Sequence, residues 1–293
     1  MAGWGILRNG ERLSPMSFLP PNPLRRGACP AVDRVAVLVF VCVTFLLLAH
    51  ASSAAPTKVD AAVFENGDVQ AQQKELVALG SQPGPEADRV LLTLFDRFLN
   101  KDLPPAVWLE FFEAVGKRSN PELKARLAEH RQKIAASRDP LVPYRECLEG
   151  GNADSGREIF TKKVEAACIR CHQVSGEGGH IGPDLTALQQ VTDRLYILES
   201  IIDPNAVITA GFQNVLLTMK NGETVSGIAS FESDDEVVII SVVDGKKHSY
   251  ATAEIVDRKP LPSAMPPGFG LILGKHAIRD LVEFLATAKT NTD

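Results

Sequence analysis

Along residues 60–148 apolar side chains return every three or four positions, the period of helices that turn one face inward. Val90, Leu91, Leu94, Phe95 and Phe98 fall on one such face, and Val107, Leu109, Phe112 and Val115 on the next. Breaks at residues 80–85, 101–105 and 119–121 divide the stretch into about four amphipathic helices that need each other to cover their apolar sides. Pro104 and Pro105 suit the first turn of one of them, where a backbone N–H has no partner to lose. Trp108, Phe111 and Phe112 read as core, and no residue set for substrate chemistry appears here, so the region is read as scaffold or docking surface.

The pattern breaks at Gly150-Gly151-Asn152, where a second domain is expected to begin. A short helix is predicted over residues 154–163, and a Gly-rich loop over 176–183. A further helix carries the stripe Val191, Leu195, Leu198 and Ile202 and stops at Asp203-Pro204. Between residues 213 and 259 the period shortens to two. Val215, Leu217 and Met219 alternate with polar neighbours up to Asn221-Gly222, and Val225, Ala229 and Phe231 continue after it, which signals a hairpin. Residues 237–243, a turn at Asp244-Gly245, residues 246–250 and a strand near Ile255 bring the total to some five short strands. These predict a small antiparallel barrel or curled sheet. Ile278, Leu281, Val282 and Leu285 share one face of a C-terminal helix. The predicted fold is thus mainly α: helices over 57–148, then a helical domain over 150–293 with a β insertion at about 213–259.

Residues 1–55 need a separate account. Arg25, Arg26 and Arg34 precede an uncharged apolar run at 35–49, and small residues follow in Ser52, Ser53, Ala54 and Ala55. This has the form of a secretory signal. At ~1.5 Å per residue the run reaches only ~22 Å, short of the ~30 Å hydrocarbon layer, which favours cleavage near Ala55 over a retained anchor. The leader holds five basic and two acidic residues, so the remainder carries 26 basic against 34 acidic side chains. This charge disfavours nucleic acid as a partner; a basic redox protein would be steered towards such a surface, and a solvated acidic face with no partner is the equal alternative. Cys29 and Cys42 belong to the leader, leaving Cys147, Cys168 and Cys171, an odd number too small for a disulfide framework. Cys147 is expected to be a buried, unpaired thiol.

The chemistry concentrates in Cys168-Ile169-Arg170-Cys171-His172. Two thiols three positions apart can each add to a haem vinyl group, and the adjacent imidazole then falls under the iron. Zinc would want four ligands, and no second Cys or His pair follows His172. A thioredoxin-like dithiol would want a strand before the motif, and a Cys168–Cys171 disulfide would leave His172 without a purpose. For the sixth iron position Met265, in Ser263-Ala264-Met265-Pro266-Pro267, is the best candidate because proline stiffens the loop that presents its thioether. Met219, a histidine or an open site are the alternatives; Met219 reads as strand core, and His180, His248 and His276 as loop or surface residues. Gly182-Pro183 follows the motif at a distance where a backbone carbonyl can accept the other ring N–H of His172, with a plain turn as the alternative.

These residues resemble the planctomycete-type haem-binding CxxCH family. The resemblance covers residues 104–285 and rests on several blocks in order. They are Gly150-Gly151 with Gly156-Arg157, Cys168 to His172, residues 178–186, Ser200-Ile201-Ile202-Asp203-Pro204, Ser263-Ala264-Met265-Pro266 and Asp280-Leu281-Val282. It implies a cytochrome c domain with one covalent haem c on Cys168 and Cys171, proximal His172 and distal Met265, preceded by HEAT-like repeats. One-electron transfer in the periplasm, with a redox protein such as a dehydrogenase as partner, is the function expected. A haem enzyme with an open iron site and a docking module with a structural haem are the alternatives.

Overall fold

A computed structural model describes residues 60–288, so the leader expected over 1–55 lies outside the described residues. Among the described residues no helix is long and apolar enough to cross a membrane. About half of them are helical.

The N-terminal helices are α1 (Val63–Asn66), α2 (Val69–Ser81), α3 (Pro85–Leu99), α4 (Trp108–Lys117) and α5 (Pro121–Ala136). Their starts follow local chemistry. Asp68 caps α2 by accepting the Ala71 N–H at 2.7 Å, Asn120 caps α5 by accepting the N–H groups of Glu122 and Leu123, and proline opens α3 and α5. A 3-10 turn at Pro105–Val107 leads into α4. One core of Leu76, Leu79, Leu91, Leu94, Phe95, Val107, Phe111, Val115 and Leu123 joins them, with Phe95 edge-on to Phe111 at 5.4 Å. Trp108 stays at the margin and donates its indole N–H to the Leu103 carbonyl at 3.0 Å.

The C-terminal part is built on two crossing helices, α6 (Ala153–Lys162) and α9 (Phe269–Thr287). Asn152 caps α6 by accepting the Ser155 N–H at 2.8 Å, and its own N–H reaches Asp280 on α9 at 2.8 Å. A Cβ on Gly156 would lie 2.0 Å from the Asp280 carbonyl oxygen, so only glycine permits the crossing at this separation. Phe160 and Phe284 meet at 5.7 Å across it, and the Arg157 guanidinium lies over the Phe284 ring. The stripe Ile278, Leu281, Val282 and Leu285 is buried against this partner. Gly274 breaks the helical conformation of α9 with φ 73.

Between them lie α7 (Cys168–Cys171), a two-rung ladder of β1 (Gln173–Val174) and β2 (Glu177–Gly178), and α8 (Arg194–Ile202). Helix α8 is capped by Asp193, which accepts the Tyr196 N–H, and is tied to α9 by a forked Arg194–Glu283 pair. It turns Ile197, Leu198 and Ile201 inward, while Leu195 is 41% and Val191 81% exposed. The expected stripe therefore holds only in part: the cap at Asp193 leaves Val191 outside the helix and shifts the inward face by a residue or two.

The β insertion comprises β3 (Asn214–Met219), β4 (Thr224–Glu232), β5 (Glu236–Ile240), β6 (Lys247–Ala251) and β7 (Ile255–Pro260). All pairs are antiparallel in the order β6-β5-β4-β3-β7. Because β6 and β7 sit at opposite edges and do not pair, the sheet is open, which rules out the closed barrel considered from the spacing. Val215, Leu217, Met219, Ala229, Val237 and Ile239 form its core. Phe231 departs from the expected alternation and is half exposed, because a register shift between Ala229 and Phe231 throws it onto the other side. The strand expected over 237–243 ends at Ile240, and Val242 and Val243 stand exposed in the following turn. Gly245 in that turn lies against Ile181 of the Gly-rich loop.

The N-terminal helices are fastened to α9 by a charge cluster. Arg279 grips Glu110 of α4 with two bonds of 2.8 and 2.7 Å, both side chains being almost fully buried. His276 meets Glu113 at 2.9 Å and Lys275 meets Glu146. Gly150 and Gly151, read from sequence as a boundary, are points of close approach: added Cβ atoms would strike the carbonyl oxygens of Ala106 and Arg279.

Candidate functional site

The site is assembled by the segment 166–186, which doubles back on itself. Ala167 takes a left-handed conformation at φ 48, an uncommon one for a residue with a Cβ, and turns the chain into the single helical turn of α7. That turn sets Cys168 and Cys171 three positions apart, on the same side of a helix, with both thiols free. His172 leaves the turn in an extended conformation, its N–H still bonded to the Cys168 carbonyl at 2.9 Å.

The Gly-rich loop folds back against this turn with ordered backbone bonds. Gly179 N–H donates to the Ile169 carbonyl at 2.9 Å, Gly182 N–H to that of Cys171 at 2.8 Å, and Leu185 N–H to that of Gln173 at 2.8 Å. Side chains have no room in this return. A Cβ on Gly179 would lie 2.0 Å from the Arg170 oxygen, and one on Gly178, itself at φ 122, 2.2 Å from the His172 oxygen. A Cβ on Gly182 would lie 2.6–2.9 Å from three atoms of the His172 ring, so the imidazole rests on bare backbone.

Next to that cradle the Pro183 carbonyl lies 2.9 Å from His172 Nδ1. A carbonyl only accepts, so Nδ1 carries the proton and donates it, and the tautomer is thereby fixed. Among the described residues no hydrogen bond reaches Nε2, which is left with its lone pair. Burial lowers the His172 pKa, with the Pro183 bond acting in the opposite sense, so the ring is neutral, as a metal ligand must be. The turn considered as the alternative at Gly182-Pro183 is present, and it also supplies the acceptor.

Burial pushes the Cys168 thiol up to about 11, with Cys171 beside it adding, and raises Cys171 as well. A dithiol oxidoreductase needs the opposite, a thiolate at neutral pH. Nor do three His, Cys, Asp or Glu side chains converge to hold a metal ion among the described residues, so the zinc reading finds no ligand set.

The surroundings suit a flat apolar ring. Cys168 and Ile169, Leu185 and Leu188, and Met265 come from three segments and pack, each only partly buried, against the core of Phe160, Ile197, Leu198, Phe269, Ile278 and Val282. A porphyrin would cover the apolar surface they leave open, and His172 Nε2 would remain for its iron. The residues present therefore fit a thioether-linked haem. Met265 shares this core, whereas Met219 is 9% exposed inside the β-sheet core, its side chain already used in packing. His180 and His248 are exposed, and His276 pairs with Glu113. Cys147 is wholly buried and unpaired, and burial pushes its thiol up to about 12.

Several residues around the site carry no sequence signal of their own. Asn205, three positions beyond α8, accepts the Ser263 N–H at 2.8 Å, and the Ser263 hydroxyl accepts the Met265 N–H at 3.2 Å.

Residues 153–289 match the family of Cytochrome c. The match marks this stretch as a cytochrome c-type haem-binding domain, in a family that implies covalently bound haem c and electron transfer. None of the curated proteins compared matches the chain.

Proposed function

We propose that the chain is an exported c-type cytochrome of the planctomycete-type CxxCH family. In this reading it carries one haem, linked through Cys168 and Cys171 and ligated by His172 and Met265. When bound, the haem supplies a one-electron couple. The protein's own part is to attach, orient and enclose. Cys168 and Cys171 would hold the haem through thioether links to its two vinyl groups, an addition with no net oxidation. Pro183 holds the His172 proton on Nδ1 and so aims Nε2 at the metal. With His172 and Met265 holding the iron, the site would be low-spin and of raised potential.

The observation that carries this reading is the His172–Pro183 bond over the Gly182 cradle. It orients the imidazole and fixes its tautomer, as a metal-bound histidine requires and a Cys168–Cys171 disulfide does not. Residues 1–55 would serve as the export signal. The HEAT-like region over 57–148 would serve as scaffold for a redox protein partner, a periplasmic dehydrogenase being the class expected. We expect Cys171→Ala, produced in a host with haem-attachment machinery, to keep at most one thioether link, read by a shifted pyridine haemochrome band. Pigment unchanged in that band and in denaturing electrophoresis would overturn the attachment. Met265→Ala should open a position on the iron, so ready carbon monoxide binding to the ferrous wild type would instead favour an open-site enzyme.

A further inference from the structure

The segment that presents Met265 is held by more than its prolines. It leaves the β insertion at Pro260, which pairs with Val215. Leu261 N–H then donates to the Asn214 carbonyl at 2.8 Å, and the Asn214 side-chain amide donates to the Pro262 carbonyl at 2.9 Å. Ser263 N–H donates to the Asn205 side-chain oxygen at 2.8 Å, and Met265 N–H to the Ser263 hydroxyl at 3.2 Å. The N–H groups of Leu261, Ser263 and Met265 are thus all engaged; Asn214 opens β3, and Asn205 lies in the linker between α8 and β3.

Asn205 is itself firmly mounted. It follows Pro204 in a turn closed by Ala206 N–H on the Asp203 carbonyl at 3.0 Å, and Asp203 N–H still caps α8 by donating to Glu199 at 2.7 Å. Helix α8 in turn buries Ile197, Leu198 and Ile201 in the core against which Cys168 and Met265 pack. A continuous path therefore runs from a buried helix through one amide oxygen and one hydroxyl to the backbone of Met265.

We propose that Asn205 is a positioning residue for the distal iron ligand, acting through Ser263, with Asn214 as a second anchor on the same strap. The proposal rests on the reading of Met265 as that ligand. The physical effect is on the fraction of molecules whose thioether has let go of the iron. An added ligand binds only to that fraction, so its apparent affinity rises as the strap loosens. The role of Asn205 is to accept a hydrogen bond from the Ser263 N–H, so Asp can replace it and Ala cannot.

The test is optical titration of the ferric holoprotein with imidazole. Asn205→Ala and Ser263→Ala should each bind imidazole about three- to tenfold more tightly than wild type, the range set by one lost hydrogen bond. Asn205→Asp should stay within about twofold of wild type. Wild-type affinity in both alanine variants, or equal behaviour of Asn205→Asp and Asn205→Ala, overturns the proposal. A lowered unfolding midpoint with unchanged imidazole affinity does the same, since a merely structural role would give that result. Met265→Ala is the reference: if it changes neither spectrum nor imidazole affinity, the distal reading falls and this proposal with it. If it changes both while the Asn205 and Ser263 variants change neither, only the present proposal falls.

Discussion

At the scale of single residues the site depends on a histidine whose surroundings admit no extra atom. Gly182→Ala would push a methyl group into the His172 ring at 2.6–2.9 Å and displace it from the Pro183 carbonyl. We expect holoprotein of this variant to show a shifted reduction potential, measured by spectroelectrochemistry, and an unshifted one would mean that the cradle does not set the ring. The five residues from Cys168 to His172 are legible in the sequence because their chemistry is contiguous. Pro183 was within reach for the same reason, lying a short loop away. Asn205 was not, and Ser263 was visible only as part of the Met265 block, because their hydrogen bond arises only when two segments 58 residues apart meet.

At the scale of elements, local pattern served well where one helix faced one core and poorly where geometry depended on a partner strand. The stripes of α3, α4 and α9 read correctly, since the helical period reports burial directly. The exposure of Phe231 was hidden because a bulge changes the phase of a strand without leaving a mark in composition. Closure or openness of the sheet was equally hidden, for it turns on whether β6 meets β7. Two expectations belong here. Gly156→Ala at the α6–α9 crossing should destabilise the fold by about 1–3 kcal/mol through overpacking, read as a lowered denaturant midpoint with an unchanged slope. On α5, His130 stacks on Phe112 at 4.3 Å, and burial, with Lys133, Lys275 and Arg131, holds its pKa below the ordinary 6.5. The unfolded chain therefore takes up a proton that the folded chain resists. Stability is full above pH 6.5 and is lost as the pH falls towards the folded value. His130→Phe keeps the stack without the proton, so urea titrations of the two proteins should diverge below about pH 6.5, with the variant less acid-sensitive.

At the scale of the whole molecule, the helices before residue 150 and the cytochrome c-type domain after it share buried charge. Glu110 stands between Leu109 and Phe111 with nothing local to distinguish it from a surface acid, yet it holds the Arg279 guanidinium out of water. Glu110→Ala should cost about 3–5 kcal/mol, because it leaves a buried cation unpaired; the double variant Glu110→Leu with Arg279→Met should recover much of that loss. Chemical denaturation of the three proteins checks both. The open sheet has a consequence of a different kind. Its two rims present backbone groups to any passing strand, a standing invitation to stack copies of the molecule into fibres. The rim formed by β7 carries Asp257, Arg258 and Lys259 and closes on a proline, while that of β6 begins with Lys247 and His248, all of them exposed. Charged side chains along an edge disfavour pairing with a neighbour's matching edge, so the insertion is guarded against stacking without being curled shut.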